Sequence, residues 1–300
     1  MIATIPGRRA FLGLAAAAAL TMSLAACGAK SNETPGSGAS TTPKITVDDA
    51  LAAKVPNAIR MAGTIAVGTD STYAPSEFLA ADGKTVIGFD VDLFNAVAAK
   101  LGLKVNWQSA KFDDIIPGIG SGKYQVGVSS FTINDERKLQ ANMVSYYSAG
   151  TQWAAKKGAS VNPDSACGAK VAVQTGTVQV DDLTARSKAC TDAGKPAITI
   201  DQYQAQSDAT GAIVSGKDVA MLADSPVSAY AVQQTKGQLA LVGPIYGSAP
   251  YGYVVAKDQT DLAQALQGAV QALISDGTYK TVLSKWAVDA GAITTSAVNP

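Results

Sequence analysis

The sequence predicts an α/β protein built as two lobes, on three observations. Strand-like and helix-like segments alternate in two successive series of similar build. An extended, uncharged segment at 146–155 separates the series, and a similar one returns at 251–256. Helices of ten or more residues lying between strands imply parallel sheets covered on both faces. A chain of 300 residues, 47% hydrophobic and 16% charged, is long enough for one large or two ordinary domains.

Residues 1–26 read as an export signal: Arg8 and Arg9 precede an apolar run at 10–26 that ends in small residues. That run is 17 residues long, short of the roughly 20 that a membrane-spanning helix needs. Arg8-Arg9 followed by Phe11-Leu12 resembles a twin-arginine signal. Leu24-Ala25-Ala26-Cys27 resembles the lipobox of bacterial lipoproteins, with lipid attached to Cys27. Acyl chains, at about 0.8 kcal/mol per buried CH₂, would hold the protein on the outer membrane face. Residues 27–58 read as a flexible tether with one short helix at 48–55, stopped before Pro56.

The body then opens with a β-branched strand at 64–67. A helix at 90–101 puts Phe94, Val97, Ala98 and Leu101 on one face, and Gly102 ends it. A strand at 103–107, a helix at 112–119 and a strand at 125–130 complete the first series. The second has strands at 171–173, 198–200 and 219–222, with helices at 177–193, through Ile213 and from Asp224. Leu262, Leu266, Ala269, Val270 and Leu273 form one more amphipathic face, before a last helix carrying Leu283 and Trp286.

Composition excludes several functions. Lys plus Arg and Asp plus Glu each total 24, and losing Arg8 and Arg9 with the signal leaves 22 against 24. A weakly acidic mature chain has no footprint for nucleic acid. The absence of histidine excludes Ser-His-Asp and Cys-His catalysis and His-ligated zinc; three cysteines exclude a four-thiolate site. No metal and no cofactor is expected. Cys167 and Cys190 are the only cysteines of the exported body, and an oxidising compartment predicts a disulfide between them.

Four motifs carry a resemblance. Thr69-Asp70-Ser71-Thr72-Tyr73-Ala74-Pro75, Gly88-Phe89-Asp90-Val91-Asp92-Leu93, the stretch 130–137 and Asp276-Gly277 with Lys285-Trp286 follow one another in order. Together they resemble the family 3 extracellular solute-binding proteins of polar amino-acid ABC transporters, over about residues 60–288. The resemblance implies a periplasmic-binding-protein-like fold: two three-layer α/β lobes joined by a two-strand hinge near 149–154 and 246–252. Lobe 1 is then 59–149 plus 251–290, lobe 2 is 150–250, and 291–300 is a C-terminal tail. It also implies a monomeric binding protein, not an enzyme, that captures an amino acid by closure and hands it to a permease and its ATPase.

The same resemblance implies a site. Arg137 grips the ligand α-carboxylate, since a guanidinium presents two parallel donors and stays charged. Ser129, Ser130 and Thr132 follow a strand and point at the same carboxylate. Asp224, at another strand end, pairs with the α-ammonium. Gln174, Thr177 and Val178 lie at a strand-to-helix turn that favours an anion. Tyr73 and Phe112 form walls, Glu77 faces the cleft, and Gln174 and Gln206 read the side chain. A polar uncharged side chain such as glutamine is the first expectation, ahead of an acidic or basic one. Two alternatives are a dehydratase on the same fold, with Glu77 as acid or base, and a binding protein that reports to a receptor.

Overall fold

In the computed structural model, residues 45–300 are described. The export signal, Cys27 and most of the tether lie outside the described residues. Two short helices come first, α1 (Asp49–Ala52) and α2 (Asn57–Ala62). The sequence reading placed a single helix at 48–55; Pro56 divides the segment, because proline ends one helix yet suits the start of the next. Asp48 caps α1 by accepting from the Leu51 N–H, and Gly63 ends α2 at φ 64°.

The chain then runs β1 (Thr64–Thr69), β2 (Thr72–Tyr73), β3 (Glu77–Leu79), β4 (Val86–Ile87), α3 (Phe89–Lys100), β5 (Lys104–Ser109), α4 (Phe112–Gly120), β6 (Val126–Gly127) and α5 (Asp135–Gln140). After the long β7 (Ala141–Lys156) come β8 (Lys170–Gln174), α6 (Val178–Asp192), β9 (Thr199–Tyr203), α7 (Gln206–Ser215), β10 (Ala220–Asp224) and α8 (Ser225–Gln234). The long β11 (Leu239–Ala256), α9 (Thr260–Ser275) and α10 (Thr278–Lys285) close the series. The small antiparallel sheet of β2, β3 and β4 was not foreseen, since two- and three-residue strands carry no periodic signal.

The main sheet has the order β5-β1-β6-β11-β7-β10-β8-β9. Each half holds parallel strands, β5/β1/β6 in one and β10/β8/β9 in the other. What joins them is an antiparallel pair of unusual length: β7 has 16 residues and β11 has 18. The sequence showed only part of each, 146–155 of β7 and the last six residues, 251–256, of β11. The first part of β7 pairs with the last part of β11, Ala141 opposite Ala256; the far ends pair Lys156 with Leu239. Register shifts fall between Val242 and Tyr246, Tyr246 and Ala249, and Tyr251 and Gly252. Bulges of this kind bend and twist a strand pair, and here they sit where the pair crosses between halves.

Separate cores fill the halves. Ile65, Phe94, Val97, Tyr253 and Leu266 belong to one cluster and are fully buried; Trp153, Val173, Leu183 and Leu222 belong to another, equally buried. Helix α9 buries Leu262, Leu266, Ala269, Val270 and Leu273, the stripe read from the sequence. The residues expected as a plain tail do more. Ser296 is buried, and Val298 bridges Val144 on the edge of β7 that β10 does not reach. The Asn299 N–H donates to Met143 O at 2.7 Å, and the Ser145 N–H donates to Ala297 O at 2.9 Å, so the chain end closes an open sheet edge.

Cys167 and Cys190 form the predicted disulfide, with Cα atoms 5.5 Å apart and a sequence separation of 23. It ties the turn before β8 to the end of α6. Among the described residues no helix is long and apolar enough to cross a membrane. Closing a loop of this length constrains the unfolded chain by roughly 3 kcal/mol. The paired Cys167→Ser, Cys190→Ser variant is expected to lose about that much unfolding free energy in urea, and an unchanged midpoint and slope would contradict a stabilising bridge.

Candidate ligand-binding site

Parallel strands of both halves end at one cleft. Asp70 follows β1, Ser129 and Ser130 follow β6, Gln174 ends β8, and Asp224 ends β10. This is where open α/β sheets place ligands, because the strand ends leave loops and helix starts facing a common crevice. Nine of the twelve site residues expected from the sequence line one small cavity there: Tyr73, Phe112, Ser129, Ser130, Thr132, Arg137, Thr177, Val178 and Asp224. Gln179 lines it as well.

Arg137 is 8% exposed. Its backbone N–H donates to Asn134 Oδ1, the cap of α5, which fixes the first turn. Its guanidinium donates to Thr132 O at 2.9 Å and to Gly176 O at 3.1 Å, and lies 5.4 Å from the Phe112 ring and 5.6 Å from the Phe131 ring. Burial pulls its pKa down, and the charge of Asp224 pushes it back up. It stays cationic at any working pH. Opposite it, α6 starts at Thr177, so the first amides of a 15-residue helix face the same region and favour negative charge. Gly176 is at φ 77°, and a Cβ there would lie 3.0 Å from Asp113, so the turn needs glycine to fit against α4.

Asp224 is 5% exposed and accepts from Tyr73 OH at 2.8 Å and from Gln179 Nε2 at 2.7 Å. Burial raises its pKa, against those hydrogen bonds and the Arg137 charge. The Tyr73 bond spans the cleft, since Tyr73 belongs to the β2 turn and Asp224 to β10. Two more polar contacts cross with it: Gln174 Nε2 donates to Asp70 Oδ2 at 2.5 Å, and the Gln206 N–H donates to Thr72 Oγ1 at 3.1 Å. The cleft is therefore shut. Its inner cavity measures about 10 Å³, the room of about one water, and an outer opening of about 310 Å³ adjoins it at Phe112, Arg137, Thr177 and Val178. The groups that would hold a dipolar molecule here hold protein groups instead: carbonyl oxygens on Arg137, hydroxyl and amide donors on Asp224.

Three expected residues lie elsewhere. Glu77 does not face the cavity; it is fully buried one layer below, bonded to Ser129 Oγ at 2.7 Å. Gln174 reaches Asp70 and Gln204 O instead of the cavity wall. Gln206 is 2% exposed at a second opening of about 200 Å³, beside Thr72. Sequence reasoning missed Asp70 and Gln179. Asp70 stood inside a quoted motif, and an acidic residue directly after a strand was the available signal. Gln179 carried none. Among the described residues, no group of three or more His, Cys, Asp or Glu is placed to hold a metal.

The model of the bacterial extracellular solute-binding proteins, family 3, matches residues 65–289. The chain belongs to that family. Among relatives of this solute-binding protein is an arginine-binding protein, ArgT, of Corynebacterium glutamicum, 35% identical over 83% of this chain and 82% of the relative. An L-cystine-binding protein, TcyJ, of Escherichia coli is 27% identical over 77% and 85%. Among solved structures, an ancestral arginine-binding protein bound to arginine superposes with a TM-score of 0.69 at 34% identity, covering 75% of this chain and 98% of that one.

The family 3 motif at 88–93 seats the site from below. Gly88 lies at φ 143°, and a Cβ there would stand 2.0 Å from Ser76 O. That close approach lets the Phe89 and Asp90 N–H groups donate to Pro75 O and Ser76 O, both at 3.0 Å. Gly88→Ala is expected to cost about 1–3 kcal/mol of stability, measured by urea unfolding; a change within error would show that the motif glycine is not sterically required.

Proposed function

We propose that this protein captures an amino acid with a cationic side chain, such as arginine, and delivers it to an ABC importer. The observation that carries this is an unbalanced charge. Asp70, Glu77, Asp90 and Asp224 are all 5% exposed or less around the cleft, with Arg137 the single cation among them. Among the described residues, none of the four carboxyls forms an ion pair with a lysine or arginine. Burying uncompensated charge costs several kcal/mol per ion. A zwitterion offsets Arg137 and Asp224 and leaves Asp70 unmatched, whereas a side chain with its own positive charge offsets Asp70 too.

In this reading the α-carboxylate takes the place of the carbonyl oxygens on Arg137. The α-ammonium takes the place of the donors on Asp224, and the side-chain cation lies toward Asp70. The arginine-binding relatives support it. The expectation of a glutamine-like side chain gives way, because an amide leaves the Asp70 charge buried and unmatched. Lobe 1 comprises 59–149 plus 251–290 and lobe 2 comprises 150–250, so the two clamp charges belong to different lobes. The ligand binds the closed form better and shifts the population toward it. Lipid on Cys27 holds the exported, monomeric protein at the membrane beside its permease.

A dehydratase on this fold would need an acid or base facing the substrate. An ancestral amino-acid-binding precursor of cyclohexadienyl dehydratase is 31% identical to this chain. Glu77, the candidate group here, is buried beneath the cavity wall and engaged by Ser129, which favours binding over catalysis.

Calorimetry with L-arginine tests the reading. Arg137→Ala is expected to lose roughly 2–5 kcal/mol of affinity, and Asp70→Asn to weaken arginine while sparing glutamine. Affinity is also expected to fall on acidification: burial raises the Asp70 and Asp224 carboxyls above the ordinary range, so protonation on the acid side removes the charges that meet the two cations. Tighter binding of glutamine than arginine, unchanged by Asp70→Asn, would overturn the cationic reading.

A further inference from the structure

Two carboxyl groups lie together beneath the wall of the candidate site. Glu77 and Asp90 are each 0% exposed, and they hold the two adjacent residues of one turn, Ser129 and Ser130. Asp90 Oδ2 accepts from three donors: the Ser130 N–H at 3.0 Å, Ser130 Oγ at 3.1 Å and Tyr146 OH at 2.5 Å. Glu77 Oε1 accepts from Ser129 Oγ at 2.7 Å, which in turn accepts the Asp70 N–H at 3.1 Å. Glu77 Oε2 and Asp90 Oδ1 are buried with no hydrogen-bond partner. Two bare carboxylates touching at zero exposure would be buried like charges without compensation. A proton held between them removes that conflict.

The surroundings supply no other remedy. The titratable groups facing the pair are Asp70 after β1, Tyr73 of β2, Tyr146 and Tyr147 of β7, Tyr253 of β11 and Tyr279 of α10. All are acidic or phenolic. Three donors converge on Asp90, which marks it as the ionised member. Burial first, and then the Asp90 charge, push the Glu77 carboxyl well above the ordinary range. Asp90, raised to about 6 by burial, is held down by Tyr146 and Glu77.

We propose that Glu77 and Asp90 share one proton, carried by Glu77, and that this proton is the device that positions the Ser129–Ser130 turn in the binding wall. Ser130 lies at φ 48°, a left-handed conformation that few non-glycine residues adopt. Asp90 pins it there through both its amide and its hydroxyl, while Glu77 holds Ser129 beside it. Loss of the proton sets two charges against each other under the turn and frees it. Because the Glu77 value is raised in the folded state, this contribution is fully present below the ordinary carboxyl range. It is lost as pH rises through the folded-state value.

The proposal rests on the cleft being the ligand site, and its test separates the two claims. Infrared spectra of the full chain at pH 7, without ligand, are expected to show a protonated-carboxyl C=O band that Glu77→Gln removes. In calorimetry with L-arginine, Glu77→Gln, whose amide donates the same hydrogen bond to Asp90, is expected to bind within about twofold of the unmodified protein. Glu77→Ala, which leaves Asp90 without that donor, is expected to bind about tenfold more weakly. As pH rises above the ordinary carboxyl range, the melting temperature of the unmodified protein should decline more than that of Glu77→Gln. Coincident infrared spectra for the unmodified protein and Glu77→Gln overturn the shared proton. Equal weakening by Gln and Ala overturns the positioning role. Failure of L-arginine to bind the unmodified protein counts against the ligand reading, and the infrared comparison still decides the proton.

Discussion

The guanidinium of Arg137 and the carboxylate of Asp224 are both buried, and they line one cavity from elements at opposite ends of a long strand pair. Charges withdrawn from water this far are costly unless something of opposite sign is brought to them. In the shut cleft, dipoles do this incompletely: two carbonyl oxygens serve Arg137, and a phenol and an amide serve Asp224. A dipolar molecule does it better. In the proposed reading, the shortfall left by the protein's own groups is what gives an amino acid its hold, and because the groups come from both sides, only closure collects them all. The population of the closed form then follows the ligand's preference for it.

The scaffold serves that requirement. Strands β7 and β11 run unbroken between the halves, so the halves are linked by two covalent crossings and a ladder of hydrogen bonds. The register shifts interrupt the ladder in the crossing region, which is where bending is cheapest. Separate buried clusters on either side let each half keep its packing while the pair flexes. The chain end, paired with Met143 and Ser145, stiffens one side of the crossing and covers an edge that would otherwise invite pairing with another chain.

Much of this was legible in the sequence, for identifiable reasons. Helix α9 and strand β1 announce themselves through periodicity, since one buried face forces a fixed spacing of apolar residues. That Ser130, Thr132, Arg137 and Asp224 gather at one cavity was legible through the motifs that carry the family resemblance, which supplied the roles expected of them. Other features were not. The strands β2, β3 and β4 are too short to show a period. The length of β7 was hidden because its first part is buried on both faces and reads as a plain apolar run. Gln179 lies on a helix face like any other glutamine, and only the fold turns it toward Asp224. Glu77 was read as facing the cleft because it follows Tyr73 closely; it pairs with Tyr73 across β2 and β3, yet the Tyr73 hydroxyl reaches Asp224 while the Glu77 carboxylate accepts from Ser129 beneath the cavity wall. The surplus of negative charge could not be counted until the burial of Asp70 and Asp90 was known.

A crystal structure with L-arginine tests the central claim most directly. The account predicts the ligand carboxylate on Arg137, its α-ammonium on Asp224 and its guanidinium toward Asp70, with the Tyr73 and Gln174 contacts rearranged to admit it. A ligand bound outside the cleft, or one in the cleft with its carboxylate away from Arg137, would contradict the account.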